Sequence, residues 1–467
     1  MAERLTTADT SNWVMATPDH VNAFLMAGVL APGGCVGPDG EVDLAALRQV
    51  LAERVRAVPR LAQRVRPAGR SFVWEPVSLD LAHHVRRVAA VDGLAGFEAR
   101  CARFVVTALP LDRPLWELLV VPGVAPARAG IVLRVHHAMA DGIAAVRFVQ
   151  ALMDPDAVEP TEAAAGPSAG PAPADPTDAV GTGPARPAPR GLRSHARAVA
   201  SGFERTTAFL RRAVPPTALL GRVGHRRGVA FVDVGLDDLA AGAEAAGATV
   251  NDALLAAAAA SARSALLARG EEPPDVLPAS VPVALPHRGR SGNAVGVMLV
   301  PLPADGGGYA DGAGSEDADL AGRLRRVARL TRAAKDEARS RGTYELTRTR
   351  LGTWLFTRLA RRQRLVVMFV TNVRGPRRPL ALAGARVERI WPVAALGGNV
   401  RLGFAAISYD GVLRCAVHCD ADALDAAVVA RTLGDELTRI AGRAHPPDDP
   451  LRAPSQARRA GTPAGPT

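Results

Sequence analysis

A segment of low-complexity composition interrupts this chain of 467 residues and constrains its fold more than any other feature. Residues 154–191 consist mainly of Pro, Ala, Gly, Asp and Thr and contain almost no large apolar side chains. Because such a segment cannot bury enough surface to offset the entropy lost on ordering, we interpret it as a flexible linker. The sequence therefore predicts an N-terminal domain over residues 1–153, a C-terminal domain over residues 192–442 and a disordered tail over residues 443–467.

The predicted N-terminal domain contains a strand-to-helix junction that carries the candidate catalytic residues. Residues 130–135 form a short β-branched run typical of a strand, and residues 142–153 have apolar residues at helical spacing. Between them lies the run His136-His137-Ala138-Met139-Ala140-Asp141-Gly142. A neutral imidazole held in a fixed orientation takes a proton from a hydroxyl, which is what acyl transfer to an alcohol requires. Adjacent side chains at a strand end point to opposite faces, so one histidine should face the reactants while the other packs behind it.

The same run is also compatible with a purely structural role. Asp141 followed by Gly142 predicts a turn whose carboxylate caps the next helix. A solvated loop or a packed pair of histidines stays open beside catalysis when spacing alone is considered. A zinc site is less favoured, since no third ligand lies at a recognisable spacing.

The predicted C-terminal domain also mixes helices and strands. Thr249 suits a helix N-cap, and Asp252 three residues later completes a capping-box pattern before a buried helix over residues 253–268. Helix capping therefore accounts for Asp252 without any catalytic role, just as core packing accounts for Trp116. Strand patterns cover residues 365–370, 402–409 and 413–417, with the hairpin signal Asp410-Gly411 between the last two.

Charge and cysteine content limit the classes of partner. The net charge is +11 and comes almost entirely from arginine, which suits nucleic acid, an anionic membrane or a phosphate-bearing small molecule, or reflects a coding bias. No zinc-finger or recognition-helix pattern supports nucleic acid. The four scattered cysteines favour reduced thiols in a cytosolic protein. Residues 1–10 lack the apolar stretch of a signal peptide, and no apolar run approaches the ~20 residues that cross a bilayer.

The run from His136 to Gly142 matches the HHxxxDG signature of the superfamily that includes chloramphenicol acetyltransferase, condensation domains and bacterial wax ester synthase/diacylglycerol acyltransferases. The whole chain resembles the last of these families. The resemblance rests on an ordered set of further segments: Leu5-Thr6-x-x-Asp9 with Trp13, Pro59-Arg60, Asp80-Leu81-x-x-His84-Val85, Pro110-Leu111-Asp112, Pro114-Leu115-Trp116-Glu117, Gly247 to Asp252, Gly292-Asn293 with Pro301-Leu302-Pro303, Thr371-Asn372-Val373 with Gly375-Pro376, and Ser408 to Gly411.

The resemblance implies an α/β (α+β) fold of two chloramphenicol-acetyltransferase-like domains that form a pseudo-dimer with a tunnel between them. It implies an acyl-CoA-dependent O-acyltransferase that makes triacylglycerol or wax ester from diacylglycerol or a long-chain alcohol. His137 is then the general base, without an acyl-enzyme, and His136, Asp141 and Gly142 maintain the geometry of the motif. Three residues are expected to bind substrate or to support the site: Asn251, Asp252 and Trp116. No metal is expected. No cofactor is expected either, because acyl-CoA is consumed as a substrate.

Two alternatives stay open beside this expectation. The first is an acyltransferase of the same fold that acts on a specialised metabolite. The second is an inactive protein that binds at lipid droplets, which the intact HHxxxDG run argues against. Several departures from the family pattern bear on acceptor choice and activity rather than on the fold: Arg113 alone between Asp112 and Pro114, Ala284 and Pro286 in place of a Ser-containing run, the displaced Arg288, and Arg374 where proline is common.

The expected location is the cytoplasm, with the inner membrane face or lipid droplets as a peripheral site. The arginine-rich stretch of residues 323–364 includes apolar positions such as Leu324, Val327 and Leu330. A surface helix there would rest on anionic lipid. An ordinary amphipathic helix packed on the domain is the equal alternative.

Overall fold

The computed structural model describes residues 3–16, 21–69, 71–139, 148–154, 213–284, 295–304, 316–340, 362–376 and 378–443. The predicted linker and tail, Asp141, Gly142, Pro286 and Arg288 lie outside these residues, apart from the linker's first residue and the tail's first residue.

The first half of the chain forms seven strands and four helices among its described residues. The strands are β1 (Glu3–Arg4), β2 (Ala23–Leu30), β3 (Gln63–Ala68), β4 (Ser71–Pro76), β5 (Val85–Arg87), β6 (Trp116–Ala125) and β7 (Arg128–His136). The helices are α1 (Thr7–Met15), α2 (Leu44–Arg56), α3 (Leu81–His84) and α4 (Gly93–Phe104), with a 3₁₀ turn at Pro59–Ala62 and a further helical segment at residues 148–152. The strand predicted over residues 130–135 is confirmed as the centre of β7.

The second half contributes the other described elements. Its strands are β8 (Arg227–Gly235), β9 (Val276–Ala284), β10 (Val295–Pro303), β11 (Met368–Arg374), β12 (Ala381–Leu382), β13 (Ala385–Val393), β14 (Leu402–Tyr409) and β15 (Val412–Asp420). Its helices are α5 (Leu236–Glu244), α6 (Val250–Leu267), α7 (Glu316–Ser340) and α8 (Ala426–Gly442).

Two six-stranded sheets form the framework. The first sheet has the order β12-β13-β2-β7-β6-β5 and the second has the order β10-β9-β11-β14-β15-β8. The strands β2-β7-β6-β5 and β8-β15-β14-β11 share one arrangement, in which two antiparallel pairs are followed by a parallel pair. A small third sheet has the order β1-β4-β3.

The chain is not divided between the two large sheets at a single point in the sequence. β13 comes from the second half, yet it pairs with β2 of the first sheet from Val387 opposite Leu30 to Val393 opposite Leu25. The first sheet therefore takes two of its strands from residues that follow the predicted linker. This exchange ties the halves together by main-chain hydrogen bonds.

Local sequence signals are confirmed at a helix and a turn. Thr249 caps α6, because its Oγ1 accepts from the Asp252 backbone N–H while the Asp252 carboxylate accepts from the Thr249 backbone N–H at 2.9 Å. Asp410 and Gly411 have φ of 50° and 71° and join β14 to β15. Positive φ at both residues is the geometry of the tight hairpin turn that an Asp-Gly pair favours.

The strand predicted over residues 365–370 begins later than expected. The Oε1 atom of Gln363 accepts hydrogen bonds from the backbone N–H groups of Leu365 and Val366, at 2.7 and 2.8 Å. These two donors are therefore unavailable to a neighbouring strand. β11 accordingly starts at Met368 and runs to Arg374.

Helix α7 decides between the two interpretations of the arginine-rich stretch for the residues that the structure describes. Leu324 and Val327 are 0% and 1% exposed and belong to the core of the second half. Arg323 forms an ion pair with Glu436 of α8. This part is an amphipathic helix packed on its own domain, so the expectation that Leu324 and Val327 face lipid is wrong. The remaining apolar positions of that stretch, beyond residue 340, lie outside the described ranges.

One hydrophobic core lies between the two large sheets. The ring of Phe231 on β8 stacks on that of Trp391 on β13, with centroids 4.4 Å apart. The Asp233 carboxylate accepts from Trp391 Nε1 at 2.6 Å and from Arg414 Nη1 at 2.5 Å. Polar bonds and stacked rings thus fix how β8 and β15 lie against β13.

His418 on β15 also faces this contact between the sheets. Its ring is buried, and Nδ1 lies 2.7 Å from the carbonyl oxygen of Ala394, so Nδ1 carries the proton and donates it. Burial, and to a smaller extent the positive charge of Arg227, lowers the pKa of His418 to about 4.

This depressed pKa predicts a loss of stability in mild acid. Between pH ~6.5 and ~4 the unfolded chain binds a proton on this histidine that the folded chain does not, so stability falls as the pH falls. The full loss is roughly 3 kcal/mol, from the size of the shift. His418→Gln keeps an N–H donor without titrating, and we expect its urea midpoint to change less with pH than that of the wild type. Equal slopes from pH 7 to 4.5 would contradict the assignment, and His225→Gln, at an exposed histidine, is the matched control.

Candidate active site

His136 ends strand β7 and is held inside the protein. It pairs with Ala23 of β2, and its side chain is 3% exposed. Its Nδ1 accepts a hydrogen bond from the Ala138 backbone N–H at 3.0 Å, so the neutral ring carries its proton on Nε2. The ring lies 5.8 Å from that of Trp13 on α1. His136 therefore shapes the turn after β7 from a packed position.

His137, the next residue, is only partly buried. Its backbone N–H donates to the carbonyl oxygen of Asn22 at 2.8 Å, and its ring lies 5.1 Å from that of Phe24 on β2. The two imidazoles thus lie against different aromatic rings on different elements. This is the divergence that alternation at a strand end predicts, and it leaves His137 as the histidine with access to solvent or substrate.

Asn22 helps to hold the backbone of His137 in place, and the sequence did not reveal this role. Its side chain is buried, and Nδ2 donates to the Asn12 carbonyl oxygen at 2.9 Å and to Asn12 Oδ1 at 3.3 Å. Asn22 therefore links α1 to the backbone of His137. The atom of Asn22 that accepts from the His137 N–H is its main-chain carbonyl oxygen, which any residue would supply. No sequence signal therefore marks this contact.

A buried ion pair lies two residues before His136. Arg134 of β7 and Glu117 of β6 are opposite each other in register, and Nη1 of Arg134 lies 2.6 Å from Glu117 Oε2. Arg134 also donates to the carbonyl oxygen of Thr107, and Arg86 approaches Glu117 at 3.3 Å. Since side chains alternate along a strand, Arg134 and His136 share one face of the sheet. The pair anchors the strand end that carries the histidines.

Trp116 supports this region from the core. It is fully buried, and Nε1 donates to the Leu61 carbonyl oxygen at 2.8 Å. Its ring stacks on His84 with centroids 4.8 Å apart, while His84 Nδ1 lies 2.7 Å from the Trp116 carbonyl oxygen. Burial lowers the pKa of His84, which keeps this stack neutral. Structural support accounts for Trp116 without a substrate contact.

The structure places Asn251 and Asp252 in the first turn of α6. Asp252 is buried, and its Oδ2 accepts from the backbone N–H and from the Oγ1 hydroxyl of Thr249, at 2.9 and 2.7 Å. Capping accounts for these contacts. Asn251 next to it is partly buried. Their part in substrate binding stays a prediction.

Potential metal ligands and cysteine thiols are two further features that bear on the chemistry of the site. Across the described ranges, no group of three or more His, Cys, Asp or Glu side chains is arranged to hold a metal ion. Cys35, Cys101, Cys415 and Cys419 are buried free thiols, and burial raises the pKa of Cys35 to about 11. Such thiols are poor nucleophiles. Among the described helices, none is long and apolar enough to span a bilayer.

Comparisons with protein-family models and with known proteins point to a single family. Residues 5–254 match the wax ester synthase/diacylglycerol acyltransferase catalytic domain, and residues 291–441 match the C-terminal domain of the same family. A probable diacylglycerol O-acyltransferase of Mycobacterium tuberculosis strain H37Rv is 31% identical over 93% of this chain and 95% of its own length. A putative diacylglycerol O-acyltransferase of Mycobacterium bovis matches equally well.

Solved structures agree on the fold. The wax ester synthase/diacylglycerol acyltransferase from Marinobacter aquaeolei VT8 has a TM-score of 0.66 at 21% identity, covering 94% of this chain and 98% of that one. The first condensation domain of the CDA synthetase has a TM-score of 0.56 at 16% identity, covering 95% and 96%. These matches confirm the predicted α/β fold related to chloramphenicol acetyltransferase. The chain belongs to the wax ester synthase/diacylglycerol acyltransferase family and is an acyltransferase of that family.

Proposed function

We propose that this protein transfers a long-chain acyl group from acyl-CoA to the hydroxyl of diacylglycerol or of a long-chain alcohol, with His137 as the general base. The observation that carries the proposal is the difference in burial and bonding between the two histidines at the end of β7. His136 is buried and bonded into the turn, whereas His137 is partly exposed and has its main chain fixed by Asn22. A base needs an accessible ring on a rigid backbone, and only His137 of the two has both.

The reaction follows from this arrangement. A nitrogen of neutral His137 takes the proton from the acceptor hydroxyl while the oxygen attacks the thioester carbonyl. The C–O bond forms, the C–S bond breaks, and the CoA thiolate leaves with the proton that His137 received. Protons therefore balance over the cycle. The scheme uses no acyl-enzyme, so the acyl group passes directly between the two substrates.

The substrates are supported by the names of related proteins. The mycobacterial relatives are named diacylglycerol O-acyltransferases, and the Marinobacter structure is of a wax ester synthase/diacylglycerol acyltransferase. A starter condensation domain of the same fold was solved in complex with C8-CoA. A neutral-lipid product fits these relatives better than a polar ester does. We place the enzyme in the cytoplasm, where it meets its lipid acceptors at a membrane or droplet surface.

A substrate panel tests the proposal. Purified full-length protein is incubated with labelled palmitoyl-CoA and with diacylglycerol, hexadecanol or a set of polar hydroxyl metabolites. We expect label in triacylglycerol or wax ester, in a one-to-one ratio with the free CoA thiol released. Release of thiol without ester would indicate a thioesterase instead. Ester formation confined to polar metabolites would reject the lipid acceptors while keeping the acyltransferase chemistry.

A further inference from the structure

The turn that carries the histidines has a counterpart in the second half of the chain. Strand β15 occupies the place in its sheet that β7 occupies in the first, between β14 and β8 as β7 lies between β6 and β2. The main-chain bonds that leave the two strands are the same. After β7 they are His136 N to Leu115 O (3.0 Å), His137 N to Asn22 O (2.8 Å) and Met139 N to His136 O (2.9 Å); after β15 they are Asp420 N to Arg401 O (3.0 Å), Ala421 N to Arg226 O (2.9 Å) and Ala423 N to Asp420 O (3.1 Å).

The first side chain of each turn also accepts the same hydrogen bond. His136 Nδ1 accepts from the backbone N–H two residues later at 3.0 Å, and Asp420 Oδ1 accepts from the N–H of Asp422 at 3.0 Å. By this equivalence Asp420 stands in the place of His136, and Ala421 in the place of His137. The second turn therefore has the backbone geometry of the first, but it has alanine at the position of His137.

A cavity of about 500 Å³ lies beside this second turn. It is lined by the loop of residues 222–226 together with Arg401, Asp420 and Asp422. Arg401 fixes the shape of the loop, because its Nε and Nη2 donate to the Arg222 carbonyl oxygen at 3.1 and 3.0 Å. The cavity is thus bounded by a braced loop rather than by a free one.

Positive charge exceeds negative charge around this cavity. The arginines Arg222, Arg226 and Arg401 face two carboxylates, with Arg226 3.0 Å from Asp422 and Arg401 3.6 Å from Asp420. The imidazole of His225 is a further donor in the lining. Guanidinium groups present paired N–H donors that match phosphate oxygens, so a concave site of this composition suits a phosphate monoester.

The cavity lies at the same end of the molecule as His137. Val393 at the end of β13 is opposite Leu25, which is opposite Arg134 near the end of β7. His418 near the end of β15 contacts Ala394, which follows β13. From the usual spacings of strands and sheets, the two turns are on the order of 15 Å apart. An extended pantetheine arm bridges such a separation.

We propose that the cavity beside the second turn binds a phosphate monoester, and that during turnover it holds the 3′-phosphate of acyl-CoA. The CoA assignment rests on the proposed function, whereas the phosphate chemistry of the cavity does not. The equivalent turns then divide the substrate between them. The first turn acts on the thioester, and the second holds the nucleotide end.

Calorimetric titration of the full-length protein tests the proposal. The ligands are CoA, dephospho-CoA (which lacks the 3′-phosphate) and adenosine 3′,5′-bisphosphate. We expect Arg222→Ala/Arg226→Ala to weaken CoA and bisphosphate binding about tenfold or more, while dephospho-CoA binds the variant and the wild type alike. Both side chains are exposed, so the variant should fold. Arg325→Ala/Arg329→Ala, which removes the same charge from the exposed face of α7, should bind all three ligands as the wild type does.

A lipid phosphate is the other source of this chemistry, and vesicles containing phosphatidic acid distinguish it. If the double variant loses co-sedimentation with those vesicles yet keeps its affinity for CoA, the phosphate site stands and the CoA assignment falls. If neither affinity changes, the proposal is overturned. Ester formation by the wild type from saturating palmitoyl-CoA tests the proposed function separately. Its absence would reject acyl transfer without touching the binding result.

Discussion

His137→Ala is expected to lower the rate of acyl transfer by about 10²–10⁴-fold while the protein stays folded. The substitution removes a proton acceptor, and general-base catalysis contributes an acceleration of about this size. The ring is only partly buried, and the bond that holds this residue, from its backbone N–H to the Asn22 carbonyl oxygen, survives the change. The measurement is the initial rate with palmitoyl-CoA and the best acceptor, alongside thermal melting.

His136→Ala is the matched comparison. It removes the Nδ1 acceptor of the Ala138 N–H and opens space in a buried position, so its main cost should fall on stability. If His137→Ala kept the wild-type rate while folded His136→Ala were inactive, the base would be assigned to the wrong histidine. If both variants were active, the run would be structural and the proposed mechanism would fail.

Local features of this fold were predictable from sequence because neighbouring residues determine them. The capping box of Thr249 and Asp252 and the turn at Asp410-Gly411 each depend on contacts within four residues, and both appear as predicted. The same holds for strand β7, which ends at His136 directly before His137. The family's motifs extended such local signals to the whole fold.

Long-range features were not predictable in this way. β13 joins the first sheet by pairing with β2, and nothing in the composition of either strand specifies that partner. The late start of β11 depends on the side chain of Gln363, which takes two backbone donors out of the sheet. The arginine-rich sequence of α7 suits either a lipid surface or packing on the domain, and only the tertiary contacts show that Leu324 and Val327 pack in the core. In each case the deciding contact is tertiary.

At the candidate site, too, local features were predictable from the sequence and long-range contacts were not. The sequence located His136 and His137, but it did not reveal that the main chain of His137 is held by Asn22. The ion pair of Glu117 and Arg134 was equally hidden, since a charged residue in a strand ordinarily faces solvent. Only the register of β6 with β7 shows that these two residues are opposite each other and buried.

This ion pair leads to the largest stability effect that we expect. Glu117→Ala should reduce the free energy of unfolding by roughly 3–5 kcal/mol, because it leaves the guanidinium of Arg134 buried without its carboxylate. The side chains of Arg134 and Glu117 are 2% and 4% exposed, so water cannot replace the lost partner. Glu75→Ala is the control, because Glu75 pairs with Arg64 and Arg66 at a partly exposed position, where solvent screens the ion pairs, and its loss of stability should be much smaller.

A double variant separates the pair's electrostatics from its packing. Glu117→Leu with Arg134→Met fills similar volume without charge, and we expect it to recover most of the stability that Glu117→Ala loses, since apolar replacement of a whole buried ion pair is often neutral. Urea unfolding gives both values. A loss for Glu117→Ala no greater than that of the Glu75 control would show that Arg134 finds another partner. If the double variant is stable but slower in acyl transfer, the pair serves to orient the end of β7 and the histidines that it carries.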